Sequence, residues 1–103
     1  MIDKVKCFNE KKSVHEKPMP VSARLMDIQS ELGELSKEYL KATKYGTLEF
    51  EKTDDFALEF GDVLYSMISL GLETGVDIEK AVEDVLAKYQ KRIDDKKNMG
   101  SGR

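Results

Sequence analysis

Four carboxylates stand out for the chemistry they could do: Glu31 and Glu34, then Glu59 and Asp62. The members of each pair are three residues apart. In a helix, at about 100° per residue, they lie roughly 60° from each other and can act on one object. The second pair sits inside the most apolar run of the chain, residues 56–72. Ionised carboxylates taken out of water cost several kcal/mol each unless paired, and like neighbours add repulsion. A divalent cation bound between them would offset both effects. The alternative is that each acid reaches solvent along a polar helix edge.

Both pairs share one pattern: acid, apolar residue, glycine, acid, as Glu31-Leu32-Gly33-Glu34 and Glu59-Phe60-Gly61-Asp62. A glycine in mid-helix costs about 1 kcal/mol relative to alanine. Close approach by another backbone or by a ligand would explain it at Gly33 and Gly61. If the two helices pack antiparallel through their apolar stripes, the pairs converge into a four-carboxylate cluster. An all-oxygen donor set suits Mg²⁺ or Mn²⁺, and Mg²⁺ keeps waters and takes substrate phosphates as its remaining ligands. A di-iron bundle needs Glu-x-x-His from two helices, and the only histidine, His15, lies before a proline break. Zinc is disfavoured for the same reason.

Other chemistries find little support. Serine or cysteine nucleophiles have only His15 as a base, and Cys7 reads as a small core residue. No glycine loop of the phosphate-cradling type is present. Lys88, Lys91 and Arg92 could meet phosphate charge, although cations at the end of a helix also simply compensate its dipole. Asp27 and Glu38, which continue the acidic row of Glu31 and Glu34, read as a solvated face.

The elements that must position these residues are helical. Ile2, Val5 and Phe8 predict a short amphipathic helix from Ile2 to about Glu16, and Lys17-Pro18-Met19-Pro20 breaks it. A second helix starts near Pro20 to Ser22, carries the stripe Leu25, Ile28, Leu32, Leu35, Tyr39 and Ala42, and stops at Tyr45-Gly46. Residues 46–53 form a loop in which a short extended segment over 47–51 has no strand to pair with. Thr53 or Asp54 caps a third helix, apolar on more than one side and therefore central, which ends at Thr74-Gly75. Asp77 caps the last helix, with Ile78, Ala81, Val82, Val85, Leu86, Tyr89 and Ile93 as its apolar positions. Residues 1–97 are then one domain, and 98–103 are expected to form a disordered tail.

Composition agrees with an all-α, four-helix bundle-like domain. At 103 residues the chain holds one modest core, and 36% charged residues with no Trp and only two Pro favour helices over a sandwich or barrel. The formal net charge of -3 gives no general attraction to nucleic acid. A lone Cys7, no signal-peptide-like N-terminus and no apolar run long enough for a bilayer fit a cytoplasmic protein with no membrane partner. A central helix apolar nearly all round, in so short a chain, also predicts an obligate homo-oligomer.

At this point the residues resemble a family. Glu31-Leu-Gly-Glu34-Leu followed by Glu59-Phe-Gly-Asp62-Val-Leu is similar to the ExxE…ExxD signature of the MazG-like all-α nucleotide pyrophosphohydrolases. Gly75-Val-Asp77-Ile-Glu-Lys-Ala81 and Lys88-Tyr-Gln-Lys91-Arg92 extend the likeness, which covers about residues 20–93. The resemblance implies hydrolysis of nucleoside triphosphates between the α and β phosphates, to monophosphate and pyrophosphate. It implies Mg²⁺, with Mn²⁺ as substitute, held by Glu31, Glu34, Glu59 and Asp62, and a homodimer or a homotetramer built from dimers. One of the four, Glu34 before the others, is expected to serve instead as the general base that orients water. Many members carry an asparagine after the lysine that resembles Lys91, where this chain has Arg92. Rival readings are a same-superfamily hydrolase of dUTP or phosphoribosyl-ATP, and a non-catalytic helical oligomer whose acids are solvated surface.

Overall fold

The computed structural model of the chain describes residues 1–101. Four helices account for most of them: α1 (Ile2–Ser13), α2 (Val21–Ala42), α3 (Asp54–Thr74) and α4 (Ile78–Ser101). No strand occurs among the described residues, so 47–51 is irregular loop. The protein is all-α, as its composition and periodicity predict.

Local signals set most boundaries. Thr53 is extended at φ -104°, ψ 161°, and its hydroxyl accepts a hydrogen bond from the Phe56 amide at 3.0 Å, satisfying one orphan donor of α3. Asp54 and Asp55 lie in the first turn, at the positive end of the helix dipole. Gly75 ends α3 in the left-handed region at φ 78°, and Asp77 accepts from the Lys80 amide at 3.1 Å to open α4. Two boundaries differ from the sequence expectation. α1 gives way to turns after Ser13 rather than reaching Glu16. α2 ends at Ala42 rather than Tyr45, because Thr43 turns its hydroxyl back to the Tyr39 carbonyl at 2.9 Å and Lys44, Tyr45 and Gly46 all take positive φ. α4 continues as helix through 98–101, the first part of the expected tail, and 102–103 lie outside the described residues.

Packing is centred on α3, which is the one helix that touches all three others. α2 and α3 form a long hairpin. α1 lies across α3, where the Phe8 and Tyr65 rings meet edge to face at 6.0 Å. Tyr65 also donates to Asn9, which donates in turn to the buried Ser69 hydroxyl at 3.0 Å. Cys7 falls on the outer side of α1 and is exposed, which corrects its reading as a core residue. Its neighbours Ile2, Val5 and Asn9 take the inner face.

α4 is different: among the described residues it packs against α3 alone. The contact is close at its start, where a side chain on the buried Gly71 would bring a Cβ within 2.6 Å of Ile78. The radius of gyration of 18.4 Å is well above the ~13 Å of a compact domain of this length. Accordingly Ile68 is the one fully buried large apolar residue among those described. Leu25, Leu32 and Tyr39 of the α2 stripe stay exposed while Ile28, Leu35 and Ala42 turn inward, and Val82, Val85, Leu86, Tyr89 and Ile93 of α4 are all exposed.

Candidate metal centre

The α2–α3 hairpin brings the two acidic pairs to one place. Glu31, Glu59 and Asp62 offer carboxylate oxygens that all lie within 4.8 Å of one another, with Glu31 and Glu59 half-buried and Asp62 exposed. These separations are short enough for one cation to bridge all three.

Crowding is felt electrostatically. Loss of solvent, then the charges of Asp62, Asp27 and Glu34, hold the Glu31 carboxyl above the ordinary carboxylate range. Glu59 is raised in the same direction by desolvation first, then by the charge and hydrogen bonding of Asp62 and the charges of Glu31 and Glu34. Like charges at close range make one another harder to ionise, and a cation relieves that penalty. The hard oxygen donors and their mutual repulsion therefore fit a divalent ion of the Mg²⁺ type.

Glu34 stands apart from the close triple. Its carboxylate is half-exposed and faces Lys37 at 3.8 Å, although its charge still reaches Glu31 and Glu59. Gly33 and Gly61 have no atom of the chain within 4 Å of where a Cβ would stand, so close approach by a backbone of the same chain does not explain them. Space for a ligand or a partner remains above both.

The basic residues of α4 are not brought to the acids within one chain. Lys88 and Arg92 flank the Tyr89 ring of their own helix, at 5.4 and 5.6 Å from its centroid. Among the described residues α4 does not pack against α2. Asp27, in contrast, was undervalued by its reading as solvated face: it is half-buried and lies 3.5 Å from the buried Ser66 hydroxyl of α3. The signal was its position one turn before Glu31; Glu38, read in the same way, is also half-buried and pairs with Lys41 at 3.2 Å.

The family model for the MazG nucleotide pyrophosphohydrolase domain matches residues 21–96, which includes both acidic pairs and all of the hairpin. The chain belongs to this family. No curated protein and no solved structure matches it. Membership supports a nucleotide pyrophosphohydrolase-type hydrolase, in a family generally dependent on a divalent metal. No helix among the described residues is long and apolar enough to cross a membrane.

Proposed function

We propose that this protein hydrolyses nucleoside triphosphates between the α and β phosphates, releasing a nucleoside monophosphate and pyrophosphate. The observation that carries the reading is the close triple of Glu31, Glu59 and Asp62 within a stretch matched to the MazG domain. Mg²⁺ held there would lower the pKa of water, neutralise phosphate oxygens and align the attacking and leaving groups. Glu31, Glu59 and Asp62 would be its ligands. Glu34, freer and still within the same field, holds and orients the attacking water and accepts its proton.

The rest of the substrate is met by other surfaces. Lys88, Lys91 and Arg92 attract the triphosphate from α4, and because that helix lies away from α2 in its own chain, we place their contribution in a neighbouring copy. The exposed apolar rows of α2 and α4 support such a homo-oligomer. Clearing non-canonical or excess nucleotides is the role that this activity would serve.

Product analysis in ¹⁸O-labelled water, with Mg²⁺ and a triphosphate panel that includes dUTP, tests the reaction; phosphoribosyl-ATP is assayed beside it. Equal amounts of monophosphate and pyrophosphate are expected. Diphosphate with orthophosphate, or no turnover of any pyrophosphate-containing nucleotide, would rule it out.

A further inference from the structure

Arg24 is the one buried charged residue among those described, only 6% exposed, at the foot of the α2–α3 hairpin. A buried guanidinium needs a counter-charge, since an uncompensated one is strongly destabilising. Glu73 provides it: Arg24 donates to Glu73 Oε1 from Nη2 at 3.0 Å and from Nε at 3.3 Å. One carboxylate with two hydrogen bonds neutralises the cation. Asp27 is nevertheless a second carboxylate beside it, with Oδ2 3.9 Å from Nη1 and 3.5 Å from the Ser66 hydroxyl. The pair with Arg24 is long, and the negative charge of Asp27 is surplus to it.

That surplus charge stands in a definite place. Asp27 is one turn before Glu31 on α2, and Ser66, itself 3% exposed, is one turn after Asp62 on α3. The two facing residues form the next layer of the hairpin below the three clustered carboxylates. Ser66 comes from the most deeply buried part of α3, next to Ile68 and Ser69. A surface acid tied only to its own helix would have no such fixed partner across the interface.

We infer that Asp27 is a positioning residue of the metal centre: fixed by Arg24 and Ser66, it extends the negative field of the three carboxylates and accepts hydrogen bonds from the hydration shell of the cation they hold. This rests on the proposed metal site. Mg²⁺ retains waters in most sites, so an acceptor just outside the ligands has something to bind. Partners at this remove from a metal commonly change affinity by about 10–100-fold when removed.

Titration calorimetry of Mg²⁺ into the full chain tests the assignment with Asp27→Asn, which keeps the shape and removes the charge. The expected result is a dissociation constant at least ~10-fold weaker, with a melting temperature in chelator equal to that of the parent or higher. An unchanged constant would overturn the inference and leave Asp27 as no more than a neighbour of Arg24. Glu31→Gln is run beside it: if that variant also binds Mg²⁺ like the parent, the metal site itself is misplaced, whereas loss of binding there with none in Asp27→Asn sinks this inference alone. Should Asp27→Asn fail to fold, Ser66→Ala carries the test. Loss of the hydroxyl is expected to weaken Mg²⁺ binding measurably, and an unchanged constant overturns the proposal equally.

Discussion

The α2–α3 hairpin and α4 are built from similar material and behave oppositely. Both are long amphipathic elements with apolar and charged residues at helical spacing. The hairpin closes on itself and brings acids far apart in sequence to within 4.8 Å. Among the described residues α4 meets only α3, and it leaves its apolar positions from Val82 to Ile93 in solvent. The difference teaches that the acidic half of the proposed site is complete within one chain, while its basic half depends on whatever covers α4.

The sharpest way to break that comparison is to remove one function from each side. Glu59→Gln should lower kcat by at least ~10²-fold, because partners outside the ligand set of a metal already cost 10–100-fold and a ligand should cost no less. Lys91→Ala should instead raise KM more than it lowers kcat, as expected of a group that holds ground and transition states alike. Steady-state kinetics on the same triphosphate decide it. Equal losses of kcat in both variants would erase the distinction.

The next test concerns the cover itself. Light scattering at micromolar concentration should give a mass that is a multiple of the 11.7 kDa chain. Leu86→Glu, on the exposed face of α4, should shift that mass toward the single chain, since a charge cannot be buried unpaired in an apolar interface. A parent protein that scatters as one chain would mean that α4 is a free arm.

What was legible in the sequence followed the same division. Thr53, Gly75 and Asp77 could be read as helix ends because a cap is a local hydrogen-bonding problem, solved within three or four residues. The end of α2 was missed because Lys44 and Tyr45 accept left-handed backbone that glycine alone would advertise. Among the acids, spacing shows that Asp27, Glu31, Glu34 and Glu38 share a face, but not how that face is rotated toward α3. Ser66 and Lys37 settle the rotation, turning Asp27 inward and Glu34 outward. The isolation of α4 was hidden for another reason: an apolar stripe has the same period whether its own chain or another one covers it.

A smaller effect separates local from tertiary stability. Thr53→Ala removes the hydroxyl that satisfies the Phe56 amide and should cost about 1 kcal/mol, the usual loss for a helix N-cap. Thermal unfolding measures it. Because the cap lies at the tip of the hairpin, before the acids, Mg²⁺ affinity should stay unchanged; a weakened affinity would mean that the first turn of α3 positions Glu59.

The smallest expected effect is electrostatic and appears without metal. Glu31 and Glu59 have carboxyls raised in the folded protein above their value of 4.5 in the unfolded chain. For such groups the folded state binds more protons than the unfolded one between the two values, so their contribution to stability is fully present below pH 4.5 and is lost as pH rises through the folded values. Above that window the ionised cluster opposes folding. In chelator, therefore, the melting temperature of Glu59→Gln should gain on that of the parent as pH is raised from 4 to 7, whatever other groups contribute to both. Mg²⁺ should close the gap at pH 7 by stabilising the parent more than the variant, since a ligand stabilises only the state that binds it. Parallel curves for the two proteins in chelator would mean that the acids do not repel one another, and the hairpin would then hold them for a reason other than charge.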